Sequence, residues 1–172
     1  IWEPAGMLAT CFDRPRRIIH RRGRGYVRNK QGVIIHPAYV DVSYKYAGGG
    51  MLSTAEDLVR FGMALKRDTI LSPDMAKEMY TVQVDRVIGF DKDGNHDKKE
   101  HKQALSWFMR QDVQGRWFPS HTGTVKGCRS YILNYPSEDL VIALIANIVP
   151  LDTPRYGNAA AQLILNGQRE RK

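Results

Sequence analysis

Apolar positions along the chain fall into two periods. Leu58, Phe61, Gly62 and Leu65 recur at i, i+3, i+4 and i+7, one stripe of a helix of about three turns. Ser53-Thr54-Ala55-Glu56 stands in front of it with the spacing of a capping box, so Ser53 is expected as N-cap with Glu56 reaching back. Ser72-Pro73-Asp74 predicts a second helix running to about Tyr80: Ser caps, Pro takes the first helical position and the acid sits in the first turn. Beyond Pro154 a closing helix is expected, with Tyr156, Ala160, Leu163 and Ile164 toward a sheet.

The other period is two. Gly32 to Pro37 reads as a short strand, and Ala104–Arg110, Arg116–His121, Cys128–Tyr135 and Leu140–Asn147 read as longer ones. Gln114-Gly115 and Pro136-Ser137-Glu138-Asp139 separate neighbours by short turns, which favours antiparallel hairpins. Leu140–Asn147 is apolar on both faces and is expected to lie centrally, covered on each side. The fold class is therefore α+β, an antiparallel sheet covered by helices.

Composition narrows the function. The 172 residues carry 26 Lys and Arg against 18 Asp and Glu, a net charge of +8. Such a surplus raises nucleic acid or an anionic membrane as partners but states only a field. Six arginines lie in Arg14–Arg24, in a stretch whose Pro15 and Gly23 predict an irregular loop. As an RNA or acidic-lipid contact it would need interleaved aromatics or a helical stripe and has neither, so it reads as a solvated or partner-facing loop and nucleic acid is not an expected partner. No apolar run approaches the 18 residues of a membrane span. Cys11 and Cys128 form no framework. Asp91, Asp93, Asn95, His96, Asp97, Glu100 and His101 crowd one segment, with Asp93-Gly94-Asn95 at a turn tip. Their spacing fits neither an EF-hand loop nor a helical zinc motif, so a charged surface hairpin is expected there, with no metal.

Ser120-His121-Thr122-Gly123-Thr124 ends a predicted strand. From spacing alone it is a strand running into a turn at Gly123, with His121 half buried and hydrogen-bonded.

Three blocks, in order, change that reading. Ile1-Trp2-Glu3-Pro4-Ala5-Gly6-Met7, then Ala47 through Phe61 with its Gly48-Gly49-Gly50, then His121-Thr122-Gly123 resemble the serine beta-lactamase-like family of class C beta-lactamases, penicillin-binding peptidases and related esterases. The run Tyr39 to Gly50 together with Ser120–Gly123 is most similar to mitochondrial members of that family. The resemblance implies an active-site-serine hydrolase whose third box is His121-Thr122-Gly123, on the sheet's edge strand beside the nucleophile. It further implies that the amide of Thr124 is one oxyanion donor, and that small Gly123 admits substrate close to the strand. The family's Ser-x-x-Lys and Tyr-x-Asn boxes precede the block at Ile1, and no Ser-x-x-Lys occurs in these residues. Tyr156-Gly157-Asn158 fits the second pattern by letter but follows the third box, and is taken as coincidence.

Residues 1–172 are thus expected to be the C-terminal part of one domain, inactive alone and partnered by the domain's N-terminal part. No cofactor is implied. A histidine replaces the commoner lysine of the box, and imidazole offers a hydrogen bond more than a fixed cation, so a peptide or ester suits the site better than a beta-lactam. A homo-oligomer and a mitochondrial location are compatible with the resemblance. The alternative is a scaffold or assembly protein that keeps the fold without turnover.

Overall fold

The computed structural model describes residues 1–85, 89–90, 96–97 and 102–169. In chain order the strands are β1 (Cys11–Phe12), β2 (Tyr26–Arg28), β3 (Ile34–Ile35), β4 (Met51–Leu52), β5 (Gly89–Phe90), β6 (His96–Asp97), β7 (Lys102–Ala104), β8 (Trp107–Gln111), β9 (Trp117–Val125), β10 (Cys128–Tyr135), β11 (Leu140–Ala146) and β12 (Ile148–Val149). The helices are α1 (Ala55–Lys66), α2 (Pro73–Tyr80) and α3 (Thr153–Arg169). Most of the acidic and histidine-rich segment from Asp91 to His101, with its turn tip, lies outside the described residues.

Five strands form one sheet in the order β11-β10-β9-β8-β7, antiparallel throughout. Its two faces bury two cores. Phe118, Tyr131, Leu133 and Tyr135 pack under Ala161 and Leu165 of α3, and Trp107, Met109 and Ile132 pack under Leu65 of α1 with Met79 and Tyr80 of α2. The expected α+β sheet with helical covers is what forms. Strand β11 sends Leu140, Ile142 and Leu144 to the α3 side and Val141 to the α1 side, so both its faces are covered. Among the described strands, however, it sits at the edge of the sheet and not at the centre.

Helix α2 begins where its cap predicts, with the Ser72 hydroxyl accepting from the Met75 amide. Helix α1 starts one residue later than expected. Thr54 is the N-cap and accepts from the Asp57 amide at 3.1 Å, while the Ser53 hydroxyl meets Thr10 Oγ1 at 2.9 Å. Tertiary partners thus draw Ser53 out of the cap. The segment expected as one strand from Ala104 to Arg110 is a hairpin, turned at Leu105-Ser106 with Ser106 at positive φ.

The closing helix is rotated from its expected phase. Thr153, Gly157, Ala161 and Leu165, at i, i+4, i+8 and i+12, form its buried stripe, whereas Tyr156, Leu163 and Ile164 are exposed. The small residues decide the matter: a Cβ on Gly157 would stand 2.6 Å from the Tyr131 ring, so the helix presses its least bulky face on the sheet.

A buried carboxylate fastens the β8–β9 turn to α3. Asp112, 3% exposed, is paired with Arg116 Nε at 2.7 Å and also accepts from Gln162 and Tyr135. Burial alone would raise its pKa, but the amides of Arg116 and Gln114, the Arg116 guanidinium and Gln162 outweigh it and hold the group at about 2. An unfolded aspartate titrates near ~3.9, so this pairing contributes roughly 2 kcal/mol of stability above that pH. The contribution is lost as pH falls from about 4 toward 2. Denaturant melts of the complete protein across that window should show the loss, and Asp112→Asn, less stable at neutral pH, should flatten it.

Candidate active site

All four candidate residues fall on one strand. β9 runs unbroken from Trp117 through His121, Thr122, Gly123 and Thr124 to Val125. The turn is therefore at Lys126-Gly127 and not at Gly123. Both residues have positive φ, 49° and 74°, the signature of a two-residue hairpin turn matched to strand twist. His121 and Thr124 are exposed, and the imidazole stacks on Phe108 with ring centroids 5.4 Å apart at 17°. The half-buried imidazole expected from spacing alone is not what forms.

β9 is the middle strand of five, not an edge strand. The box nevertheless reaches an edge. β8 pairs with β9 only from Trp117 to Ser120, whereas β10 pairs with Ser120 to Val125. From His121 onward, no strand among the described residues occupies the side of β9 opposite β10.

Backbone alternation tells which amides point there. In an antiparallel sheet the N–H and C=O of one residue face the same neighbour, and those of the next residue face the other. The Asp112 amide donates to the Arg116 carbonyl at 3.0 Å, which turns residue 116 toward the β8 side and with it 118, 120, 122 and 124. Pro119, with no N–H to give, falls in the opposite set, and the β10 ladder stops just before it. The hairpin agrees, because residues flanking a two-residue turn exchange their hydrogen bonds, so Val125 faces β10 and Thr124 faces away. The amides of Thr122 and Thr124 therefore project from the open half of the strand.

Gly123 packs closely against β10. A Cβ there would stand 2.7 Å from Ser130 Oγ on β10, its cross-strand partner. Arg129, a half-buried residue, lies directly across from Thr124, and its buried Nε has no partner among the described residues. Spacing could have found this cation once the turn was placed at 126–127.

The far end of the box is clamped. Lys126 Nζ lies 3.2 Å from Asp13, which is 4% exposed and is also held by Arg22 at 2.7 Å. A Cβ on Gly25 would stand 1.9 Å from the Lys126 carbonyl oxygen, so only glycine lets the end of the arginine loop press against this turn. On the other side, Gly49 of the glycine run approaches Val125. Burial pushes the Cys128 thiol above its ordinary pKa, which leaves it a poor nucleophile. Tyr156-Gly157-Asn158 lies on α3, where Asn158 Oδ1 accepts from Tyr131 at 2.9 Å, a structural use. Among the described residues no cluster of His, Cys, Asp and Glu could hold a metal ion, and no helix is long and apolar enough to cross a membrane.

Comparisons with known proteins give the family and the fold. The Beta-lactamase family profile matches residues 1–166. The human mitochondrial serine beta-lactamase-like protein LACTB is 33% identical over 87% of this chain, and its mouse counterpart is 31% identical over the same share. The chain spans 30% of the length of each of these relatives. Among solved structures, the octameric penicillin-binding protein homologue from Pyrococcus abyssi superposes with a TM-score of 0.75 at 22% identity, covering 96% of this chain and 36% of that one. A class C beta-lactamase from Rhodobacter sphaeroides gives 0.64 at 18% identity, covering 96% and 52%. By its family match and its curated relatives, supported in fold by these structures, the chain belongs to the beta-lactamase family of serine-hydrolase-like proteins.

Proposed function

We propose that the complete protein is an active-site-serine hydrolase acting through an acyl-enzyme on a peptide or ester, and that this chain supplies its third box and one oxyanion donor. The observation that carries the reading is the outward-facing Thr124 amide on the uncovered half of β9. A serine hydroxyl from outside these residues attacks the substrate carbonyl, whose oxygen becomes an oxyanion. The Thr124 N–H donates to that oxygen, collapse of the intermediate expels an amine or alcohol, and water releases the acyl group. His121, exposed on the same strand, gives a hydrogen bond to the substrate, and Arg129 adds a positive field beside Thr124.

A serine-directed fluorophosphonate applied to the complete protein tests the reading: stoichiometric labelling with loss of ester turnover supports it. A folded protein that takes no label supports the scaffold alternative. Residues 1–172 alone, lacking a nucleophile box, should turn over neither nitrocefin nor a p-nitrophenyl ester.

His121→Ala should lower kcat/KM of the complete enzyme by about two- to tenfold, the range of a lost hydrogen bond worth ~0.5–1.5 kcal/mol. Because the ring is exposed, the melting temperature should barely move. Unchanged kinetics with a large fall in melting temperature would mark His121 as structural. The mitochondrial relatives and the octameric homologue extend the proposal to a mitochondrial, self-associating enzyme.

A further inference from the structure

The strand that carries the box loses one neighbour at a defined point. Phe108 opposite Ser120 is the last pair that β8 makes with β9, and His121 is the next residue along β9, the first of the half left uncovered among the described residues. At that point the Phe108 ring lies almost parallel to the imidazole, with centroids 5.4 Å apart and planes at 17°.

Phe108 is itself held in place. It is half-buried, and Arg110, two residues along and so on the same face of β8, brings its guanidinium to 6.0 Å from the same ring. Its chain neighbours Trp107 and Met109 point the other way and are buried against Leu65 of α1. The backbone beneath the ring is therefore anchored in the core, and the ring cannot follow a swinging imidazole.

Stacking engages the face of an imidazole, whereas hydrogen bonding uses its edge, where both nitrogens lie. A neighbour that stacks and has no polar atom fixes the plane of the ring and occupies neither nitrogen. Phenylalanine meets both conditions. A hydrogen bond prefers an angle above about 150° at the hydrogen, so the plane of the ring decides whether the His121 N–H meets a substrate acceptor in line.

We propose that Phe108 is a positioning residue of this site, holding the His121 imidazole with its edge toward the substrate. It touches no reacting atom and acts through His121. Rotational freedom of the imidazole is removed before substrate arrives, so the hydrogen bond forms at a lower entropic cost. The inference rests on the hydrolase reading of the box.

A double-variant cycle in the complete protein tests it. Phe108→Leu keeps an apolar side chain and removes the ring, and should lower kcat/KM by about two- to tenfold, no more than His121→Ala does. The combined Phe108→Leu, His121→Ala variant should be no slower than His121→Ala alone, because a group that works through the imidazole has nothing left to act on. A merely structural role would multiply the two losses instead. Phe108→Tyr keeps the ring and should retain parental turnover. NMR of the complete protein with isotope-labelled histidine gives a readout that needs neither turnover nor a variant at Phe108. The His121 ring protons, identified by their loss in His121→Ala, should be shifted upfield by the ring current of Phe108. Multiplied losses, parental turnover in Phe108→Leu, or His121 protons without the upfield shift would overturn the proposal. Any of these in a protein that the serine-directed fluorophosphonate labels leaves the hydrolase reading standing, whereas a folded protein that takes no label overturns that reading and this one with it.

Discussion

Thr124→Pro in the complete enzyme should reduce kcat by about 10²–10³, the usual cost of one oxyanion donor, while Thr124→Ala should leave kcat within a few-fold of the parent. The contrast isolates the backbone N–H, which alanine keeps and proline removes. Proline inside a sheet ordinarily breaks a ladder bond, but the alternation along β9 aims the Thr124 amide away from β10, into the half that β8 does not reach. Proline also restricts the preceding residue to extended conformations, and Gly123 is already within a strand. The Pro variant should therefore fold. A Val125→Pro control, whose amide faces β10, should lose stability instead. Binding of an unreactive substrate analogue, measured beside the melting temperature, separates lost donation from distortion. If alanine were as damaging as proline, the hydroxyl and not the amide would be the working group. If neither variant slowed a folded enzyme, the box would not be at the active site.

How much of this was legible in the sequence depended on the range of the signal. Ser72-Pro73-Asp74 contains all that its helix start needs within three residues, and α2 begins there. Strand β10 is bounded at Cys128 and Tyr135, as its flanking turn residues and apolar run predicted. The box was visible only by resemblance, because His-Thr-Gly alone suggested a turn at Gly123. The true turn places Lys126 at positive φ, a conformation that composition does not announce. The start of α1 shifted by one residue because Thr10, far away in sequence, competes for Ser53. The phase of α3 went wrong for a similar reason. Its bulky apolar residues suggested the buried face, yet shape at Tyr131 selected Gly157 and Ala161 and left Tyr156 and Leu163 outside. Local propensity gave the elements, while close approach between distant residues set their exact registers.

Asp57→Ala should destabilise the complete protein by about 1–3 kcal/mol, the range for leaving a buried polar group without its partner. The side chain is fully buried at the first turn of α1 and serves three partners. Its Oδ2 accepts from the Ala9 amide at 2.9 Å and from the Thr10 hydroxyl at 2.8 Å, and its Oδ1 accepts from Arg60 at 3.0 Å. Removal takes the carboxylate from the buried Thr10 hydroxyl and from the Ala9 amide, while Arg60, 42% exposed, keeps Glu56. Asp57→Asn keeps one acceptor but turns an amide toward one donor set, so it should recover only part of the loss. The effect should also reach the candidate site. Asp57 ties the segment around Ala9 and Thr10 to α1, and four residues past Ala9 in that segment lies Asp13, which holds Lys126 at the end of the box. At a temperature where Asp57→Asn remains folded, it should therefore lower ester turnover more than Asp112→Asn, which loosens the opposite end of β9. Equal turnover in two variants of equal melting temperature would mean that the clamp at Lys126 does not depend on Asp57.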